Sequence, residues 1–318
     1  MSAMCPTDQA ASPGEPPTRP PTEPGGEPSE ASSRRLASEG ASGTVAWALL
    51  SDPGTGRDNN EDYAGVLAPD DAESVPVFVV ADGMGGHAAG EVASRLAVET
   101  VLATWQSGGT AAAHQRLRTA ARAANVAVFD AGTGAERRGM GSTLTALALA
   151  GREVVIAHIG DSRAYAVRGN QASQLTADHS RVGEMLRMRL ITAEQAARHP
   201  ARSMLTRCLG TEPVVQIDLI RQPVEVGDTF VLCSDGLWDT VARAEIAAIV
   251  TGPAPGADGA SPSPPSPAGA AAALIELALK RDAPDNVTVV VIRLLAHSVG
   301  PTRRLFRRKP RQEPDGGA

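Results

Sequence analysis

Four aspartates lie next to apolar runs in this 318-residue chain. Three runs, VPVFVVADG, EVVIAHIGD and TFVLCSDG, contain or end on one of them, and the fourth precedes the run VTVVVIRLL; in chain order they are Asp82, Asp161, Asp235 and Asp285. Runs of this length, rich in Val and Ile and bounded by Gly or Pro, are typical of buried strands. Carboxylates repeated at strand ends predict one shared sheet edge that is lined with negative charge.

Such an edge favours bound cations. Each nearby carboxylate raises the pKa of its neighbours, so the cluster does not stay ionised without compensating positive charge. Ligands that offer only oxygen atoms select hard ions, which makes Mg²⁺ or Mn²⁺ the expected occupant. The four aspartates therefore predict a site for more than one metal ion.

Composition indicates a soluble, cytoplasmic enzyme with one large domain. The longest apolar stretches are strand-sized, well short of the about 20 residues that a membrane span needs. The N-terminus lacks the basic start and apolar core of a secretory signal. The three cysteines show no metal-ligand spacing, which argues against a zinc site and a disulfide framework. A net charge of −6 argues against nucleic acid as the main partner, and we expect a monomer.

Three segments have compositions that predict disorder. Residues 1–42 carry Pro, Ser, Glu and Gly with few apolar side chains, and residues 252–269 form a Pro/Ser/Gly insert of the same kind. Residues 298–318 end the chain with a basic stretch, interpreted as a solvated tail, with contact to anionic lipid or an acidic partner as the alternative. The folded domain is thus expected over residues 43–297, with the insert as a surface loop.

Between these segments the chain alternates strand-like runs and helical patterns. Long helical patterns cover residues 91–105 and 112–129, and shorter ones cover residues 244–250 and 271–280. The connections in TLTALALA–GR–EVVIAHI and EVVIAHI–GDS–RAYAV are too short for a parallel crossover, which predicts two antiparallel hairpins. Antiparallel strands with segregated helices give an α+β architecture. The strand-like runs are residues 44–50, 75–81, 143–150, 153–159, 163–167, 214–220, 229–234 and 287–295.

Six motifs around the aspartates resemble those of one family. A single Asp-Gly is a common turn, but six motifs in one order are specific. In order and rough spacing, over residues 44–296, they resemble the metal-dependent Ser/Thr protein phosphatases of type 2C in their compact bacterial form. The motifs are RDNNED at 57–62, ADGMGGH at 81–87, GMGST at 139–143, IGDSR at 159–163, SDGL at 234–237 and PDNVT at 284–288.

The resemblance implies a fold and an activity. The fold is a four-layer α/β/β/α sandwich with two central antiparallel sheets flanked by helix pairs. The activity is hydrolysis of phosphoserine and phosphothreonine in proteins by a hydroxide that bridges two Mn²⁺ or Mg²⁺ ions. The implied partners are phosphorylated proteins and a bacterial Ser/Thr kinase whose action the enzyme opposes.

The same resemblance implies a set of metal ligands. Asp82 matches the carboxylate that bridges both ions, and the backbone carbonyl of Gly83 matches a ligand of one of them. Asp235 and Asp285 match the ligands of the other ion. Asp161 matches the ligand of a third, weaker metal in bacterial members, which it shares with Asp235.

Further residues match positions outside the metal ligands. Arg57 matches the phosphate-binding arginine, whose guanidinium can pair with two phosphate oxygens at once. Glu61 and Asp62 match carboxylates that orient metal-bound waters. The general-acid histidine of eukaryotic members is replaced by Met84, which makes His87 the candidate acid. The alternative for His87 is a structural role as a cap of the helix that starts near residue 88.

Residues 180–212 match the variable flap beside the catalytic cleft, and Thr192 followed by Glu194 and Gln195 predicts a helix N-terminus there. Nothing in the flap identifies the protein that docks on it. Two other functions are weighed against the phosphatase. A catalytically inactive, phosphatase-like binding module is disfavoured because every expected ligand is present. Another two-metal enzyme, such as a nuclease, is disfavoured because the acidic core lacks a basic groove.

Overall fold

The two inner layers of the molecule are antiparallel sheets of six strands each, and helices cover their outer faces. The computed structural model describes residues 36–68, 74–85, 88–134, 137–252 and 263–297. This is the four-layer sandwich that the resemblance implies. Within the described residues, no helix combines the length and the apolar character that crossing a bilayer requires.

The first sheet has the strand order β1-β2-β12-β11-β8-β9. Its strands come from both ends and the middle of the described chain, so it joins distant segments. In sheet order they are β1 (Leu36–Ala41), β2 (Val45–Asp52), β12 (Val287–Leu294), β11 (Thr229–Cys233), β8 (Arg163–Arg168) and β9 (Gln171–Gln174).

The second sheet has the strand order β10-β7-β6-β4-β3, and the short strand β5 pairs with the end of β4. Every strand pairing given for either sheet is antiparallel. In sheet order the strands are β10 (Asp218–Pro223), β7 (Glu153–Ile159), β6 (Leu144–Ala150), β4 (Val77–Met84) and β3 (Asp62–Leu67), with β5 at Gly141–Ser142.

Helices pack on the outer face of each sheet. On the second sheet lie α1 (Ala88–Ser107) and α2 (Ala113–Ala131), which bury one apolar cluster against it. On the first sheet lie α5 (Asp235–Trp238), α6 (Arg243–Thr251) and α7 (Pro267–Lys280), over a second cluster. The helices α3 (Arg181–Arg187) and α4 (Ala193–Ala197) belong to the flap.

A third apolar cluster fills the space between the two sheets. Trp47 meets Phe78 there edge to face, with the ring centroids 6.1 Å apart. Alternation along β2 explains how one strand serves two layers: Trp47 and Leu49 face the other sheet, whereas Ala48 faces the helices. Both faces of each sheet are therefore packed against apolar side chains.

The predicted hairpin between residues 153–159 and 163–167 is wrong. The first of these segments is β7 of the second sheet, and the second is β8 of the first sheet. The chain crosses between the sheets at Gly160, whose φ of +102° lies in the left-handed region. A Cβ there would lie 2.6 Å from the side chain of Thr143, so the crossing requires glycine. The other predicted hairpin, β6 with β7, is confirmed.

Three predicted boundaries also move. The strand expected at 214–220 is β10, which starts only at Asp218, and Val214 before it is 80% exposed. Strand β1 lies inside the segment 1–42 that composition predicts to be disordered; it is held by backbone pairing with β2 and packs Gly40 under the Trp47 ring. Helix α7 begins at Pro267, inside the predicted insert. The disorder predicted for residues 1–35, 253–262 and 298–318 lies outside the described residues.

Candidate metal centre

Five aspartates converge at one end of the sandwich, and we call this group the aspartate edge. Strand β3 opens with one of them, which stands directly across from a second in β4. The third follows β7, the fourth opens α5 after β11, and the fifth precedes β12. The negative charges of the other four raise the pKa of the one in β4, as expected for carboxylates that lie close together. The five are Asp62, Asp82, Asp161, Asp235 and Asp285.

Asp82 is held by its backbone. Its N–H donates to the hydroxyl of Thr143 over 2.9 Å, and its carbonyl accepts from the Ser142 hydroxyl over 3.0 Å. The GMGST motif thus serves to fix the strand that carries Asp82. Burial raises the pKa of the Asp82 carboxyl well above its ordinary value, and the other four aspartates raise it further.

Asp62 is the most deeply buried of the five aspartates. It is 5% exposed, and its carboxylate accepts a 2.6 Å hydrogen bond from the hydroxyl of Ser234, the residue before Asp235. Burial raises the pKa of Asp62, and the Ser234 bond opposes that rise. The resemblance assigns Asp62 to the orientation of water. In the structure its carboxylate instead contacts Ser234, the residue that precedes Asp235.

Asp161 and Asp235 lie close enough for their charges to interact. Burial, followed by the charge of Asp235, raises the pKa of Asp161 to about 8. Burial, followed by the charge of Asp285, raises the pKa of Asp235 to about 6. The indole N–H of Trp238, one turn after Asp235, donates to the carbonyl of Asp161 over 3.0 Å. The guanidinium of Arg163 stacks on the Trp238 ring at 3.5 Å, so these two segments are clamped together.

Gly83 and Glu61 lie where α1 begins. A Cβ on Gly83 would lie 2.0 Å from the carbonyl oxygen of Gly90, so the approach of α1 to β4 itself demands glycine. The Gly83 N–H donates to the Glu61 carbonyl over 3.1 Å. The same carbonyl accepts from the hydroxyl of Ser94 over 2.6 Å, which ties Glu61 to the helix.

Arg57 reaches the edge directly. Its guanidinium donates to the Asp285 carboxylate over 2.8 Å, and half of the Arg57 side chain is exposed. That hydrogen bond raises the pKa of Arg57, and the guanidinium stays charged. The resemblance assigns Arg57 to phosphate binding, and the ion pair with Asp285 is a contact that the sequence analysis did not predict. His87 lies outside the described residues.

Asn286 is a site residue that sequence reasoning passed over. Its side-chain carbonyl accepts from the Glu61 N–H over 2.7 Å, and its amide donates to the carbonyls of Pro53 and Asn59. Asn286 therefore joins the Arg57 loop to the strand that follows Asp285. The PDN motif contained this signal, because an Asn with several backbone partners is a common way to fix a loop.

The donors at the edge suit hard divalent ions. In the ranges that the structure describes, no group of three or more His, Cys, Asp or Glu side chains is arranged to enclose an ion by itself. Mg²⁺ typically binds through one or two carboxylates and keeps several waters. A magnesium site therefore does not need three protein side chains around each ion. Oxygen donors and mutually raised pKa values fit Mg²⁺ or Mn²⁺, since a divalent ion would offset the repulsion.

A sequence model of the family Protein phosphatase 2C matches residues 56–252. The chain belongs to this family. It is 39% identical over 204 residues to the serine/threonine phosphatase stp of Listeria welshimeri, covering 63% of this chain and 80% of that protein. It is 38% identical over 267 residues to the protein phosphatase PstP of Mycobacterium tuberculosis, covering 82% of this chain and 47% of that protein.

A solved structure supports the same family. The catalytic domain of the serine/threonine protein phosphatase PstP, crystallised in complex with two manganese ions, superposes with a TM-score of 0.68 at 35% identity, covering 80% of this chain and 99% of that one. The chain is accordingly a metal-dependent serine/threonine phosphatase. The alternative of an inactive binding module is not supported, and neither is a nuclease.

Proposed function

We propose that the aspartate edge is the catalytic centre of this phosphatase and that it removes phosphate from serine and threonine residues of proteins, reversing a Ser/Thr kinase in the same cell. One observation carries the proposal: five aspartates from distant parts of the chain meet at one end of the two packed sheets. Such crowding destabilises the fold unless it serves to bind cations. The cell compartment that we propose is the cytoplasm, and the active form a monomer.

In this proposal Asp82, the Gly83 carbonyl, Asp235 and Asp285 hold two Mn²⁺ or Mg²⁺ ions, and Asp161 with Asp235 holds a third. Bound ions of this kind supply activation of water and neutralisation of phosphate charge. The protein contributes the geometry. Asp62 anchors Ser234 beside Asp235, and Trp238 fixes the backbone of Asp161.

Arg57 positions the phosphate. The guanidinium carries five N–H donors, and its bond to Asp285 uses one nitrogen, so other donors remain for two phosphate oxygens. A half-exposed arginine at the rim can meet an incoming phosphoprotein without a change of fold. Glu61 orients water near the phosphorus, and His87 is the proposed donor of a proton to the departing serine or threonine oxygen.

The test is a pair of assays on one preparation. Wild type with Mn²⁺ is expected to release phosphate from a phosphothreonine peptide and to leave duplex and single-stranded DNA intact. Asp235→Asn, which keeps the shape of the side chain, is expected to lose the peptide activity by several orders of magnitude while its circular dichroism spectrum is unchanged. Peptide hydrolysis at the wild-type rate in Asp235→Asn would overturn the assignment of the centre.

A further inference from the structure

A pocket of about 380 Å³ lies between the flap and the aspartate edge. Its flap wall carries an apolar patch that includes Val182, Leu186 and Ala197, with polar side chains beside it, whereas the opposite wall includes Asp235 and Trp238. The volume falls within the about 300–1,000 Å³ that is usual for ligand pockets in proteins. Because Asp235 also belongs to the proposed catalytic centre, a ligand in the pocket would lie beside the reacting phosphate.

The flap wall is held in place by polar contacts that leave its apolar side chains facing the pocket. Arg187 donates to the carbonyl of Asp178 over 2.6 Å, which fixes the end of α3. Thr192 caps α4 with a reciprocal pair of hydrogen bonds to Gln195, as the sequence predicts. The pocket is thus formed before any substrate arrives, and binding need not order it.

An ion pair joins the two walls. Arg202 of the flap donates to Asp239, just after α5, over 2.8 Å, and both residues line the pocket. Half of the Arg202 side chain is exposed, so the bridge lies at the surface. It connects the flap to the residue that follows α5 across the pocket.

The flap differs from the rest of the molecule in charge and in exposed apolar surface. Residues 181–207 contain six arginines and two glutamates, a balance of +4, whereas the whole chain carries −6. Among the described residues, four of the eight exposed large apolar side chains lie in this segment: Leu186, Met188, Leu190 and Met204. A positive, apolar surface complements a polypeptide that carries phosphate and apolar side chains.

We propose that this pocket binds a large apolar side chain of the phosphoprotein substrate, within about three residues of the phosphorylated position. The inference rests on the proposed catalytic centre. An extended chain advances about 3.3 Å per residue, so a peptide whose phosphate lies at the edge passes over the pocket within that span. A leucine, methionine or phenylalanine side chain of the substrate would contact Leu186 and Ala197. The phosphate would lie on the opposite side of the pocket, near Asp235.

The test uses phosphothreonine peptides with glycine and serine flanks, in which leucine replaces one flanking residue at a time over three positions on each side. At one position leucine is expected to raise kcat/KM by about tenfold or more, since burial of one such side chain corresponds to at least that factor. The gain is expected in KM with kcat unchanged, because the contact already exists in the bound ground state.

Three variants test whether the pocket is the source of the gain in kcat/KM that leucine produces. Leu186→Ala removes part of the apolar wall, and Ala197→Phe fills the space from an exposed position of α4. Both are expected to abolish the leucine gain and to keep the basal rate on the glycine–serine peptide. Met188→Ala is the matched control, because Met188 is 67% exposed and is not among the residues that line the pocket. It is expected to keep the full gain.

Leucine without effect at all six positions, or a gain that survives in both Leu186→Ala and Ala197→Phe, would overturn the proposal. A wrong assignment of the catalytic centre would give a different result, because Asp235→Asn would then hydrolyse the peptides as fast as wild type. Peptide hydrolysis that depends on Asp235 but is indifferent to leucine would retain the catalytic centre and reject the pocket alone.

Discussion

At the scale of single residues, the carboxyl of Asp82 is buried next to other carboxylates, which disfavours its ionised form. Burial raises its pKa, and Asp62, Asp235, Asp161 and Asp285 raise it further. An ionised Asp82 is therefore a cost to the metal-free fold. Asp82→Asn keeps the shape and removes the charge, so the metal-free melting temperature is expected to stay level or rise by about a few degrees. Calorimetry in EDTA measures this; a large drop would mean that Asp82 is structural.

The pH dependence of the metal-free protein follows from Asp161. Its pKa is raised from the ordinary 3.8 to about 8, so between these values the folded state binds more protons than the unfolded state. Stability therefore falls as the pH rises across that window. Asp161→Asn is expected to remove this part of the loss. Melting temperatures of wild type and Asp161→Asn in EDTA, from pH 5 to pH 8, should diverge in favour of the variant as pH rises; parallel curves would contradict the raised pKa.

Arg57 separates phosphate binding from metal binding. Arg57→Ala is expected to lower kcat/KM for phosphopeptides by roughly 30- to 1000-fold, mainly through KM, because losing a charge-assisted pair costs about 2–4 kcal/mol. Its bond to Asp285 is exposed, so Mn²⁺ affinity should change little. Arg57→Lys keeps the charge but not the fork, and should fall between wild type and alanine. A collapse of Mn²⁺ affinity in calorimetry with KM unchanged would instead make Arg57 a support of the aspartates.

At the scale of elements, α5 connects two parts of the edge through Trp238. Trp238→Phe keeps an aromatic ring for Arg163, but it removes the N–H that donates to the Asp161 carbonyl and reduces the bicyclic indole to a single ring. Loss of such support typically costs about 10- to 100-fold in metal affinity or activity. We expect a loss of that order in the Mn²⁺ concentration for half-maximal rate.

The chain offers a matched control for Trp238→Phe. Among the described residues, the indole N–H of Trp47 has no hydrogen-bond partner, so Trp47→Phe removes a donor that bonds nothing. Its Mn²⁺ dependence should equal that of wild type. If both variants shift the Mn²⁺ dependence alike, the Trp238 bond has no special role.

Sequence patterns predicted some elements better than others. The apolar run 153–159 coincides with β7, since its residues are almost all buried. Strand β1 was missed from the sequence, because backbone pairing with β2 rather than an apolar run holds it. Strand β3 was also missed, because its few apolar side chains are divided between two clusters. The short connection at Gly160 predicts a hairpin, because the sequence looks the same whether a connection stays in one sheet or changes sheets.

At the scale of the whole molecule, the fold brings together aspartates that are more than 200 residues apart in the chain. Their types and their places beside apolar runs pointed to a charged edge, but the order of the strands that unites them did not follow from spacing; it followed from the resemblance. The contact of Arg57 with Asp285 could not be predicted, since it depends on how two loops fold over each other.

In the proposed centre, these aspartates hold the ions on which activity depends. Calorimetric titration of EDTA-stripped protein with Mn²⁺ tests it, with wild type and Asp82→Asn compared under the same conditions. Wild type is expected to take up at least two equivalents, and Asp82→Asn to lose the tight binding while its melting temperature holds. Mn²⁺ binding in Asp82→Asn that equals wild type in affinity and stoichiometry would contradict the account.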